Sequence, residues 1–291
     1  MTPIRRARPV LLLGVVAATV LSACIPMQVD STEASGEKNG LPAAIAQSGV
    51  LRVGMSPDFP PMEYKDDQTD QTVGMDVDLV NAIAAKLGVK VERIESPFDQ
   101  LLNSVATGRV DMVMSGISDT AERQKTVSFV DYFTSQGRFY TVSAKAGGYT
   151  EQTSVCGKSV AVSSKTDYYD QIGKLSETVC QGAGLPEIRR LGTDSGAAAR
   201  LQIEQGRADL AVQGGENLAY LEKTEPGKYA RVLDPLPGTP FGAVVAKDDM
   251  ALAEAVKKAI EDLQADGEYK KILTTWGLDY GTMKPVINGV K

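Results

Sequence analysis

The sequence predicts an α/β protein built of two similar lobes, and three observations carry that prediction. Residues 50–114 read as strand, helix, strand, helix, strand, and residues 159–212 repeat the pattern. This is the grammar of a sheet that binds ligands at the carboxyl ends of its strands. The nine residues Gly108–Gly116 reappear as Gly206–Gly214, displaced by 98 positions, each copy ending a helix, running a strand and leaving at a glycine. No third series follows, so the helices after residue 250 are expected to pack back on the first lobe. The chain would then cross between lobes near residues 143–147 and again near 241–246.

Each element has a local reason. Leu41 to Gln47 suits a short helix before Gly49, and Leu51 to Met55 alternates as a strand. Three prolines then break regular structure between Ser56 and Tyr64. Leu79, Val80, Ile83, Ala84 and Leu87 form one apolar stripe of a helix that opens near Gly74 and stops at Gly88. Val89 to Ile94 is the next strand, Phe98 to Thr107 a second helix stopped by Gly108, and Val110 to Met114 a third strand. Ser159 to Ser163, Thr166 to Val179, Ile188 to Leu191, Ser195 to Gln205 and Ala208 to Val212 give the second series. Helices over Ala251–Ala265 and Glu268–Thr275 are split at Asp266-Gly267.

The strand exit Ser115-Gly116-Ile117-Ser118 through Arg123 is the first candidate site. It reads as a strand, a turn and the first turn of a helix carrying an arginine. Small residues let a ligand approach the backbone, while helix-start N–H groups, the Ser118 hydroxyl and the Arg123 fork favour a carboxylate. The same residues also fit a plain strand–helix turn with a surface arginine.

Composition narrows the function. The chain has 291 residues, 43% of them hydrophobic, and a formal charge of −6. Without the three arginines of its first segment, 28 basic residues face 37 acidic ones, which argues against nucleic acid as a partner. There is no histidine, so the commonest general base, the usual nucleophile pairs and most zinc sites are missing. Neither a cofactor nor a metal is called for.

Arg5, Arg6 and Arg8 precede an apolar run from Val10 to Val20 and then Leu21-Ser22-Ala23-Cys24. The run is short for a membrane span and reads as a signal peptide, residues 1–23. Leu-Ser-Ala-Cys resembles the bacterial lipobox, which implies lipidation of Cys24 and anchoring to the outer face of the cytoplasmic membrane. Residues 24–49 hold a polar, small-residue tether. Cys156 and Cys180 remain as an even pair in an oxidising compartment, where a disulfide is the default.

Taken together, Leu51-Arg52-Val53-Gly54, Phe59-Pro60-Pro61-Met62-Glu63-Tyr64, Gly74 to Leu79, Gly108 to Asp111, Gly116 to Arg123 and Asp266-Gly267-Glu268-Tyr269 resemble family 3 of the extracellular solute-binding proteins, the amino-acid receptors of ABC importers. The resemblance implies a periplasmic-binding-protein fold with a two-stranded hinge and a ligand in the cleft between lobes, residues 50–143 plus 244–291 and residues 144–243. It implies a monomer that captures a small molecule without chemistry and hands it to a membrane permease. A secreted enzyme on the same fold (dehydratase-like) and a ligand sensor are the alternatives.

The resemblance also assigns residues. Arg123 would hold the ligand carboxylate with the Ser118 hydroxyl, the Gly116 carbonyl would meet its ammonium, and Phe59 and Phe98 would sandwich its aliphatic part. Thr166 and Asp167 match the second lobe's carboxylate donors, and Glu63 and Gln213 complete the set. Gly214 stands where many members carry an aspartate for the ammonium. Either Asp167 or Glu216 replaces that counter-ion, or both cap helices and see only solvent. The ligand could then be a free amino acid, a conjugate of one, or a delocalised or quaternary cation stacked on phenylalanine.

Overall fold

The computed structural model describes residues 40–291. The signal segment, Cys24 and most of the tether lie outside the described residues.

The first lobe begins with helix α1 (Ala43–Ser48) and strand β1 (Val50–Met55). The proline-rich loop holds a small sheet of β2 (Asp58–Phe59), β3 (Glu63–Lys65) and β4 (Thr72–Val73), where irregular chain was expected. Helix α2 (Met75–Leu87) follows, and Gly88 ends it at φ 71°. Gly74 starts it at φ 141°, where a Cβ would overlap the Met62 carbonyl, so only glycine lets this helix sit on the loop. Strand β5 (Lys90–Glu95), helix α3 (Leu101–Ala106) and strand β6 (Met112–Val113) complete the series.

After β6 the sequence predicts the start of a helix, and none forms. Gly116 turns the backbone at φ 53°, and Ser118 bridges to Phe241, with the Asp119 N–H donating to the Pro240 carbonyl. The segment is drawn into the sheet, and only the single 3-10 turn Arg123–Lys125 remains.

Strand β7 (Val127–Val142) has no counterpart among the sequence-based elements. It joins the lobes. Its first part, Val127 to Gln136, pairs with the later strand β12 (Gly238–Ala246), and Gly137 to Tyr140 pair with β10 (Leu210–Gly214). The crossings therefore fall at Gln136–Gly137 and near Gly238. Residues 143–147, expected as the first crossing, lie beyond it in the 3-10 turn Ser143–Gly148. Residues 127–133 are buried without a break, and alternation sets in only over residues 133–139, which hid the strand.

The second lobe runs β8 (Ser159–Ser163), α4 (Asp167–Leu175), β9 (Arg189–Thr193), α5 (Gly196–Glu204), β10, α6 (Gly215–Thr224) and β11 (Tyr229–Val232). Cys156 and Cys180 are joined by a disulfide. The chain returns through β12 to α7 (Met250–Ala265), α8 (Glu268–Trp276) and β13 (Thr282–Ile287), which pairs with β7 in the first lobe. The main sheet order is β5-β1-β6-β12-β7-β10-β8-β9.

Both lobes cover both faces of their sheet. In β8, Val160 and Val162 join one apolar cluster and Ala161 the opposite one. Leu51, Val53 and Met55 of β1 pack on α2 and α7, each buried side chain contributing about 1.5–3 kcal/mol. The sequence echo has a structural meaning too. Asp111 accepts the Arg52 N–H at 2.8 Å and Asp209 accepts the Ser159 N–H at 2.8 Å, so each repeated aspartate fastens the first strand of its own lobe. No helix among the described residues is long and apolar enough to cross a membrane.

Candidate functional site

The strand ends and helix starts of the two lobes meet around a cavity of about 90 Å³. The first lobe supplies Phe59 from β2, Phe98 from the turn before α3, Phe241 from β12, and Gly116, Ser118 and Arg123 from the turn after β6. The second supplies Thr166 and Asp167 at the start of α4, Ser195 and Gly196 at the start of α5, and Gln213 and Gly214 at the end of β10. Nine of the eleven sequence-based candidates therefore line one cavity.

Arg123 is held by its own neighbourhood. Its guanidinium donates to the Ser118 carbonyl at 2.8 Å and to the Lys165 carbonyl at 3.0 Å, which fixes the fork and leaves three of its five N–H groups for a ligand. Burial lowers its pKa, opposed by the charges of Asp167 and Asp119. Gly116 presses on Phe59, whose ring lies 2.7 Å from where a Cβ would stand. That glycine is required both by its backbone angle and by the ring.

Asp167 does not cap α4. Its carboxylate accepts the Ser118 hydroxyl at 2.7 Å, the Gln171 amide at 2.7 Å and the Thr239 hydroxyl at 2.9 Å. It thus ties α4 to both the first lobe and the β12 crossing. The lobes also touch through the Asp99–Lys165 ion pair at 3.1 Å, the Asn217 amide on the Pro60 carbonyl at 2.8 Å, and the Tyr64 and Tyr220 rings.

Glu63 and Glu216 lie elsewhere than the lining. Glu63 is fully buried behind Phe59 in the loop and accepts the Ser115 hydroxyl at 2.6 Å. Glu216 is fully buried beside the hinge, with the Ser135 hydroxyl 2.8 Å from one oxygen and 3.0 Å from the other, and burial pushes it up to about 7. The alternative in which Asp167 and Glu216 see only solvent is therefore overturned. A Cβ on Gly214 would overlap the Glu216 carboxylate, so this acid fills the space of the side chain that residue 214 lacks.

Two lining acids were missed. Asp58 sits just before Phe59 and accepts the Ser56 hydroxyl at 3.1 Å, and Asp194 precedes Ser195, the residue whose hydroxyl caps α5. A polar residue at a helix start reads as a cap, which concealed Asp194. Gln213 accepts the Tyr140 hydroxyl at 3.3 Å and packs against the start of α5. The lining thus holds Asp58, Asp167 and Asp194 against the single cation Arg123.

Residues 51–279 match the model of the bacterial extracellular solute-binding proteins, family 3. An arginine-binding protein of Corynebacterium glutamicum is 30% identical over 84% of this chain and 79% of its own length. Among solved structures, an ancestral arginine-binding protein bound to arginine is 31% identical, with a TM-score of 0.68 over 78% of this chain and 98% of that one. The ancestral amino-acid-binding protein AncCDT-1, a precursor of cyclohexadienyl dehydratase, is 29% identical, with a TM-score of 0.71 over 80% of this chain and 97% of that one.

Proposed function

This chain belongs to family 3 of the bacterial extracellular solute-binding proteins, and from that premise we propose that its ligand is an amino acid carrying an extra positive charge. The protein is an extracytoplasmic receptor of an ABC importer that captures an amino acid or a close analogue between its lobes. The observation that carries the finer reading is the charge of the lining, Asp58, Asp167 and Asp194 around Arg123. A ligand carboxylate on Arg123 cancels the only cation there. The remaining acids then favour a ligand bringing more than one positive group.

The roles follow from position. Arg123 and Ser118 take the carboxylate, the Gly116 carbonyl and Asp167 take the amino group, and Phe59 and Phe98 flank the chain. Glu216 stands behind Gly214, where its negative form supports the amino group without touching it. The arginine-binding relative and the arginine-bound ancestral structure support this class. Anchoring through a lipidated Cys24, the monomeric state and binding without turnover belong to the same proposal. An enzyme would need a carboxyl in the cleft as general acid or base, but Glu63 lies behind the lining and the oxygens of Asp167 already hold three donors, which supports binding.

A thermal-shift and calorimetric titration of residues 40–291, refolded to remove carried-over ligand, tests the reading. The panel is L-arginine, L-lysine, L-glutamine, L-glutamate and glucose. Arginine or lysine at ~100 times its Kd adds about 2.7 kcal/mol of stability. Glutamine or glutamate binding as well as arginine would overturn the cationic class, and silence from every amino acid would overturn the receptor assignment of the cleft.

A further inference from the structure

Behind the cleft wall, two buried carboxyl groups hold consecutive residues of one turn, Ser115 and Gly116. Glu63 on β3 and Asp76 in the first turn of α2 are both fully buried. The groups that face Glu63 are Asp76 from α2, Asp58 from β2 and Ser115 from the turn after β6, with Tyr132 of β7 reaching Asp76. None of them is a cation.

The donors are shared unequally. Asp76 accepts the Gly116 N–H at 2.8 Å and the Tyr132 hydroxyl at 2.8 and 2.9 Å, and it sits at a helix N-terminus. Glu63 has the Ser115 hydroxyl on one oxygen and no donor on Oε2. Two adjacent buried anions without a counter-charge are not sustainable. One proton resolves the arrangement, carried by the poorer acceptor and donated to the richer one.

We infer that Glu63 is a positioning residue that stays a neutral acid and donates its proton to Asp76, so that Asp76 holds the Gly116 N–H and with it the cleft-facing turn. Burial and the Asp76 charge push Glu63 well above the ordinary carboxyl range, in agreement with that geometry. The turn held in this way carries Gly116 and Ser118 and presses Gly116 on Phe59. If Glu63 ionised, repulsion would separate the carboxyls and loosen the Asp76 contact to the turn. Nothing in this depends on which ligand the cleft takes.

The test uses 13C-glutamate-labelled protein with no ligand added. At about pH 8, where Glu216 has released its proton, the infrared spectrum of the wild type should keep a protonated-glutamate carbonyl band. Glu63→Gln, whose amide replaces the acid O–H as donor, should remove that band. Over each pH unit in which the fold holds a proton that the unfolded chain has lost, the folding constant falls about tenfold. Denaturation midpoints across pH should therefore fall less steeply in Glu63→Gln than in the wild type. No band in the wild type, or parallel profiles in the two proteins, would overturn the inference. If Glu63→Gln does not fold, the wild-type band alone decides.

Discussion

Ser118 of the first lobe donates its hydroxyl to the Asp167 carboxylate of the second, 2.7 Å away. Ser118 is also the hydroxyl that family resemblance offers to a ligand carboxylate. Asp167 and a bound carboxylate therefore compete for one donor beside one arginine. On the proposed reading, a ligand resolves that conflict by placing a cation against Asp167.

Arg123→Ala should abolish useful binding. A charge-assisted, two-pronged pair with a carboxylate is worth about 3 kcal/mol, or roughly 100-fold in Kd. Calorimetry with L-arginine measures the loss. Arg123→Lys should recover only part of it, because a point charge replaces a fork that the Ser118 and Lys165 carbonyls hold in place. Equal affinities for wild type and Arg123→Ala would remove this residue from the site.

Asp167→Asn tests charge apart from shape. The variant keeps an oxygen for the Ser118 hydroxyl and loses an acceptor for Thr239 and Gln171. L-arginine should bind about tenfold less tightly, one unit of lost charge pairing in a partly buried site. L-glutamine should lose much less, since repulsion of its carboxylate disappears at the same time. The ratio of the two affinities is the readout, and an unchanged ratio would leave Asp167 a purely structural tie.

Stability should fall as pH rises from about 4 to about 7. Burial pushes Glu216 up to about 7, and burial with the neighbouring Asp119 charge does the same to Asp131. In that window the fold holds protons that unfolded carboxyls have released, so unfolding releases protons and higher pH favours it. The contribution is complete below about 4 and gone above about 7. For Glu216 it is at most about 3 kcal/mol. Urea midpoints at a series of pH values check the slope, which Glu216→Gln should make shallower.

What the sequence revealed depended on where the physics is local. Gly116, Ser118 and Arg123 follow a strand end in one short segment, so pattern placed them, whereas Thr166 and Asp167, which open a helix, came from the family resemblance. The join between lobes was illegible because the first half of β7, residues 127–133, is buried at every position and alternation covers only residues 133–139. Glu63 and Glu216 misled for a related reason. A glutamate near a candidate loop reads as reaching for ligand, and only tertiary packing shows both turned inward onto Ser115 and Ser135. The expected helix carrying Arg123 failed because Ser118 found a partner in Phe241, 123 residues further along the chain.

The last prediction concerns the space shared by residues 214 and 216. Gly214 ends β10 and starts α6, and its missing side chain is replaced in space by the Glu216 carboxylate. Gly214→Ala therefore has to displace a buried carboxyl held by Ser135, and it should cost about 1–3 kcal/mol as an overpacked site. The same alanine should be far better tolerated in Glu216→Ala, where the obstructing group is absent. A double-mutant cycle on urea midpoints isolates this coupling, which should exceed about 0.5 kcal/mol for residues in direct contact. Additive effects would mean that Glu216 moves aside at no cost. Gly214→Asp with Glu216→Ala then asks the functional question, because it moves the acid from 216 to the position where the family resemblance leads one to expect an aspartate. If that pair binds L-arginine while Glu216→Ala alone binds poorly, the two positions deliver the same negative charge to the cleft by different routes.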